Sequence, residues 1–233
     1  SSAASDVYKR QYQLDTSLIN DVIIGCVMPV NDQGANIGKI AAQYSGWDVD
    51  IPSMQINRCC GSGLEAVNLA AMKIRSGWED LIVSGGIECM SRVPIGADGG
   101  PMAFETKVAS RTNYVPQGIG ADLIATIEGF TRRDLDAYAL MSQKRASEAI
   151  KNKRFRSLVP IYDQNDLLLI AEDEHVRPNT SLMQLSKLKP AFEKIGKNGY
   201  DEIALQKYIH IEEISHLHTA GNSSGIVDGA SIT

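Results

Sequence analysis

Two adjacent cysteines, Cys59 and Cys60, precede Gly61-Ser62-Gly63, and apolar residues then recur at helical spacing at Leu64, Val67, Ala71 and Ile74. A strand expected to end at Arg58 places the pair where a strand hands over to a helix. A thiol at a helix N-terminus lies at the positive end of the helix dipole, which favours the thiolate. The glycines allow backbone N–H groups to approach a reacting carbonyl closely. This is a setting for covalent catalysis by a thiol. Cys60 is the candidate nucleophile, and Cys59, as the last strand residue, is expected to point into the core. Geometry alone also admits both as small buried hydrophobes, a frequent fate of unpaired cysteine.

The other chemistry-bearing residues suggest less. The four cysteines, Cys26, Cys59, Cys60 and Cys89, include no CxxC pair. That spacing argues against zinc, and the low cysteine density argues against a disulfide framework. A reducing compartment follows. The densest basic cluster, Lys151, Lys153, Arg154 and Arg156, is expected to be a solvated helix end. A formal net charge of −5 over 233 residues leaves nothing basic enough to track a nucleic-acid backbone. No apolar run reaches the length of a membrane span. Residues 1–11, SSAASDVYKRQ, match nothing that follows and are expected to be a non-native or disordered leader.

Val22–Val30 predicts a buried strand, Asn36–Tyr44 a short helix and Ser53–Arg58 a second strand. Gly61–Arg75 predicts a helix and Asp80–Gly85 a third strand. Strand, helix and strand in succession predict a parallel sheet with crossover helices. Val93–Pro116 is rich in Gly, Pro, Ser and Asn and is expected to be irregular. Helices are expected at Gly118–Gly129, at Arg132–Arg154 behind a Thr131 capping box with Asp134, and at Ser181–Leu188. Leu158–Tyr162 and Leu167–Ile170 predict short strands. The sheet is expected to resume near Thr219–Gly221 and over Ile226–Ile232.

Three stretches then carry a resemblance. NRCCGSGLEAVNLAAMKIRSG, beginning at Asn57, resembles the nucleophile segment of the thiolase family, with Asn, two residues and then the reactive Cys. GGIECMSRVP (Gly85–Pro94) resembles the family's GGxExMS segment, and TAGNSSGIVDGAS (Thr219–Ser231) its TAGNxSGxxDGA segment. SRVPIGADGG and VPQGIGADLIATIEGF are most similar to bacterial acetyl-CoA acyltransferases of fatty-acid oxidation.

The resemblance implies an α/β fold with the layered αβαβα arrangement of thiolases. This chain is expected to carry only its N-terminal half, with an inserted α-rich loop domain. The implied division is 12–92 for the nucleophile half, 93–217 for the CoA-binding insertion and 218–233 for the return strand, with the C-terminal half absent. The resemblance implies that Cys60 accepts an acyl group from a 3-ketoacyl-CoA, releasing acetyl-CoA, and passes it to a second CoA thiol. Coenzyme A and acyl-CoA are substrates, and no covalently bound cofactor is implied. Two CoA contacts carry over, Arg177 in DEHVRP and Ser224 in GNSSG. Pro116 and Gln117 stand where the family often has His and Met, so the pantetheine pocket is expected to differ.

The family's activating His and second Cys belong to GHPxG and CxGGG motifs, and neither occurs here. His175, His210, His216 and His218 are therefore expected to be structural, as are Glu88 and Asp228. The chain alone is expected to be inactive. A non-catalytic CoA- or acyl-binding protein and a ketosynthase-type condensing enzyme are the alternatives. The resemblance further implies a homodimer or homotetramer for a complete protein, in the cytoplasm of a bacterium or in an organellar matrix.

Overall fold

The computed structural model describes residues 14–233. The leader expected over residues 1–11 lies outside the described residues. The chain divides into two compact units. One takes residues up to Asp98, Ser157–Asp173 and Ile226–Thr233, and the other takes Gly99–Arg156 and Glu174–Gly225.

The first unit is organised by β1 (Asp21–Gly25), in which all five residues are buried. It runs parallel to β2 (Ser53–Ile56) on one side and to β3 (Ile82–Cys89) on the other. The fourth strand, numbered β6 in chain order (Asp228–Ile232), pairs antiparallel with β3, giving the order β2-β1-β3-β6. Alternate side chains of β1 serve opposite faces of the sheet. Val22 and Ile24 pack with Ala42, Trp47 and Ile51, while Ile23 packs with Ala66, Ala70 and Ile82. The helices over these two faces are α1 (Ile37–Tyr44) and α2 (Ser62–Arg75).

The parallel crossover core agrees with expectation, with three local differences. The first strand ends at Gly25 rather than Val30, because the N–H groups of Val27 and Met28 turn to the Glu88 carboxylate at 2.9 and 3.3 Å instead of continuing a ladder. The third strand runs on to Cys89 because β6 extends its pairing. The buried face of α2 is made by Ser62, Ala66 and Ala70, whereas Leu64 is 69% exposed. Small residues face the sheet because the helix start lies close against it. A β-carbon on Gly25 would stand 2.3 Å from the Ser62 carbonyl carbon, and one on Gly86 would stand 3.3 Å from the Gly63 Cα.

The second unit is helical. Two short helices, α3 (Pro101–Phe104) and α4 (Thr106–Thr112), occupy part of the stretch expected to be irregular. Pro at the first position starts α3, and Asn113 in a left-handed conformation ends α4. Then come α5 (Gln117–Glu128) and the 20-residue α6 (Arg132–Lys151), opened by the expected capping box between Thr131 and Asp134. After α6, β4 (Ile161–Tyr162) and β5 (Leu168–Ile170) form an antiparallel hairpin that belongs to the first unit. The second unit resumes with α7 (Leu182–Leu185), α8 (Glu193–Ile195), a π-type turn over Gly196–Tyr200, and α9 (Asp201–Lys207). Its core joins Ile119, Leu123, Ala204 and Ile214, with Phe192 and Tyr208 packed around them.

Candidate active site

The strand-to-helix turn carrying the cysteines is shaped by three side chains. Asn57 Oδ1 accepts the Cys59 N–H at 2.9 Å, an Asx turn that removes this N–H from the β2 ladder and ends the strand at Ile56. The Asn57 amide reaches across to donate to the Val27 carbonyl at 3.0 Å. Ser62, buried at the start of α2, accepts the Arg58 N–H at 2.9 Å and donates its hydroxyl to the Cys59 carbonyl at 2.6 Å. The third side chain, Arg58, pairs with Glu65 across the first helical turn at 3.1 Å.

Cys59 therefore departs from expectation. It is exposed, and its φ of +47° lies in the left-handed region rather than in a strand. A non-glycine residue there costs about 1–2 kcal/mol, and the bonds to Asn57 and Ser62 hold it in place. Cys60, also exposed, follows immediately and leads into Gly61, which caps α2. The Gly61 and Ser62 N–H groups close the turn onto the carbonyls of Arg58 and Cys59 at 3.1 and 3.0 Å.

Beneath this turn, Glu88 anchors the exit of β1. Besides the two backbone N–H groups, its carboxylate accepts the Gln33 amide at 2.7 Å, and Gln33 is itself 2% exposed. The expected structural role of Glu88 agrees with these bonds. Cys26 lies in the same buried layer, 3.6 Å from the Gln33 amide nitrogen. Burial, reinforced by the Glu88 charge, pushes its thiol up to about 11. Asp228 bonds the Ser91 N–H and hydroxyl at 2.9 and 2.6 Å, and these bonds hold its carboxyl below the usual range. It ties the turn after β3 to the start of β6.

Arg177 and Ser224 lie in the second unit, and both are exposed. The Arg177 backbone is fixed on both sides. Its N–H donates to the Gln143 side chain at 2.8 Å, and its carbonyl accepts the Thr180 hydroxyl at 2.8 Å. Two residues earlier, the His175 ring lies where a β-carbon on Gly225 would be, 2.4 Å away. The loop carrying Arg177 is thus packed on the residue next to Ser224. Upstream, Asn222 accepts the Thr219 N–H at 2.7 Å and donates to the buried Asp136 at 2.9 Å. Asp136 also pairs with Arg132 at 3.0 Å.

His216 and His218 lie in one carboxylate cluster of the second unit. His216 holds the Asp122 and Asp201 carboxylates at 3.0 Å each, and His218 lies 2.7 Å from Asp122. Burial pulls the His216 imidazole down, but the two carboxylates outweigh it and the net shift is upward. Lys151, Lys153, Arg154 and Arg156 are all exposed at the end of α6, the solvated helix end that was expected. Pro116 caps α5 and Gln117 is its first residue. Asn57 and Gln33 were not singled out by sequence reasoning. Asn57 stood in view as the first residue of the nucleophile motif, whereas Gln33 sits in an unremarkable NDQG turn.

The family of the thiolase N-terminal domain matches residues 1–198. The chain belongs to the thiolase family. It is 35% identical over 228 residues to a 3-ketoacyl-CoA thiolase of Shewanella loihica, covering 95% of this chain and 53% of that protein. It is 33% identical over 231 residues to a 3-ketoacyl-CoA thiolase of Marinobacter nauticus, covering 97% and 54%. It is also 34% identical over 239 residues to a probable acetyl-CoA acyltransferase of Staphylococcus aureus, covering 96% and 56%. The chain spans about half the length of these curated thiolase relatives. Its mixed α/β sheet flanked by helices is the architecture of a thiolase N-terminal domain. Among the described residues no helix is long and apolar enough to cross a membrane, and no group of three or more His, Cys, Asp or Glu side chains is placed to hold a metal ion.

Proposed function

We propose that Cys60 is the acyl-accepting nucleophile of a thiolase acting on 3-ketoacyl-CoA. The observation that carries this is the turn itself. Cys60 is exposed directly ahead of α2, and the strained residue before it is held by two side chains. In the proposed step the Cys60 thiolate adds to the C3 carbonyl of the substrate. The C2–C3 bond breaks, C2 takes a proton and leaves as acetyl-CoA, and the remaining acyl group stays as the Cys60 thioester. An incoming CoA gives up its thiol proton, attacks that thioester and frees Cys60. Arg177 is assigned to the CoA nucleotide and Ser224 to its pantetheine arm.

The proton transfers fall to groups that the family places in GHPxG and CxGGG, which these 233 residues do not contain. The polypeptide by itself is therefore expected to take up an acyl group without turning over. The name 3-ketoacyl-CoA thiolase among the relatives supports a place in fatty-acid β-oxidation. A cytoplasmic setting in a bacterium, or an organellar matrix, and a homodimer or homotetramer for a complete protein belong to the same proposal.

The test is acyl transfer from acetyl-CoA to the purified chain, read by mass spectrometry of its peptides. A thioester on Cys60, absent from Cys60→Ser and weakened by Arg177→Ala and Ser224→Ala, is expected. Acylation spread equally over Cys59 and Cys60 would defeat the assignment.

A further inference from the structure

The exposed cysteine turn is joined to the interior of the first unit by a continuous run of hydrogen bonds through one side chain, Asn57. We propose that Asn57 is a positioning residue for Cys60, coupling the nucleophile turn to the β1 exit loop that Glu88 anchors. The proposal rests on Cys60 being the nucleophile.

The run begins at Gln33 and Glu88. The Gln33 amide donates to Glu88 at 2.7 Å and to the Met28 carbonyl at 2.9 Å, and Glu88 accepts the Val27 N–H at 2.9 Å. Val27 is thereby fixed through its N–H, and its carbonyl accepts the Asn57 amide at 3.0 Å. The other end of the Asn57 side chain accepts the Cys59 N–H at 2.9 Å. Asn57 uses its donor toward one segment and its acceptor toward the other, so aspartate keeps only the acceptor half of the link and alanine keeps neither.

Asn57 acts on Cys60 through Cys59. With φ of +47°, Cys59 occupies a conformation that a non-glycine residue leaves when its side-chain braces are removed. Relaxation of φ at Cys59 swings the next residue, Cys60, away from the start of α2. Ser62 alone then holds the Cys59 carbonyl, at 2.6 Å, while the Cys59 N–H has lost its acceptor. The thiol thereby leaves its exposed place directly ahead of α2. A glycine at position 59 adopts the same φ without that strain, so its presence removes much of the need for Asn57.

The experiment measures iodoacetamide alkylation rates of Cys60 and Cys59 by peptide mass spectrometry, alongside thermal unfolding. In the unsubstituted chain Cys60 reacts faster than Cys59. Asn57→Ala slows Cys60 about tenfold, while the thermal midpoint falls by less than about 5 °C. In a Cys59→Gly background the same substitution slows Cys60 by no more than about threefold. A fast Cys60 whose rate is unchanged by Asn57→Ala overturns the positioning role alone. A Cys60 no faster than Cys59 in the unsubstituted chain overturns the nucleophile assignment and this role with it. Should Asn57→Ala unfold, Asn57→Asp keeps the acceptor for Cys59 and loses only the bond to Val27. A slowing of about threefold supports the coupling, and an unchanged rate refutes it.

Discussion

Asp122, with no exposed surface, lies 2.7 Å from the His218 ring nitrogen and accepts the backbone N–H groups of Leu217 and His218 at 3.0 Å each. Its second oxygen meets the His216 ring at 3.0 Å. One carboxylate on α5 thereby fixes the chain just before the TAGN turn. Asp122→Ala would leave two backbone donors and one nitrogen of each of the two rings without a partner. The expected loss is about 3–5 kcal/mol, read from urea unfolding of the chain. A loss below about 1 kcal/mol would mean that water replaces the carboxylate.

The same cluster sets a pH dependence. His216 has a carboxylate at each ring nitrogen, Asp122 and Asp201, so both nitrogens serve as donors in the protonated ring. Burial opposes that charge, the two hydrogen bonds and charges favour it more, and the folded value lies above the ordinary 6.5. A raised folded value means that the stabilisation is complete below the unfolded histidine value. It is lost as pH rises through the folded one. The second unit should therefore lose stability on going upward from about pH 6.5, with the same change flattened in His216→Gln. Hydrogen exchange of α5 amides measured across that range checks it, and a stability that rises over the same interval would contradict the assignment.

Thiol reactivity should separate the cysteines by burial. Cys26 is 1% exposed and its thiol is pushed up to about 11, first by burial and then by Glu88. Cys59 and Cys60 are exposed and Cys89 is intermediate. With an aromatic disulfide reagent near neutral pH, Cys26 should be the last thiol to react and should do so only as the chain opens. Its rate should track unfolding by urea. Prompt labelling of Cys26 in the folded chain would show that the β1 exit is open to solvent.

The parts legible in the sequence are those fixed by periodicity and by short side-chain signatures. The continuous run of Val22, Ile23 and Ile24 announced a strand buried on both faces, and Thr131 with Asp134 announced the start of α6. The motif spacing singled out Cys60, and the turn does present it ahead of a helix. What escaped were consequences of bonds between segments far apart in the chain. Val27 and Met28 look like strand residues until Glu88, some 60 positions later, takes their N–H groups. Leu64 looks like a core residue until the close approach of Gly25 and Gly63 turns Ala66 toward the sheet instead. Cys59 looks like the end of a strand, and only the reach of Asn57 to both Cys59 and Val27 shows why it is not.

That close approach supplies the last prediction. Gly25 ends β1 directly beneath the first turn of α2. An added β-carbon would stand 2.3 Å from the Ser62 carbonyl carbon and 2.5 Å from both the Ser62 oxygen and the Gly63 nitrogen. All three atoms are backbone, so no side chain can rotate aside, and the helix start itself must move. Gly25→Ala should cost about 1–3 kcal/mol or more, measured by denaturant unfolding of the first unit. The displacement should also loosen the bonds that Ser62 makes to Arg58 and Cys59, at 2.9 and 2.6 Å. Cys60 alkylation should then slow even under conditions where the variant remains folded. Gly77→Ala, past the far end of the same helix, meets nothing within 4 Å but has φ of +74°. It should destabilise through backbone strain while leaving the Cys60 rate unchanged. A Gly25→Ala chain as stable and as reactive as the parent would show that α2 can shift along the sheet without disturbing the turn it carries.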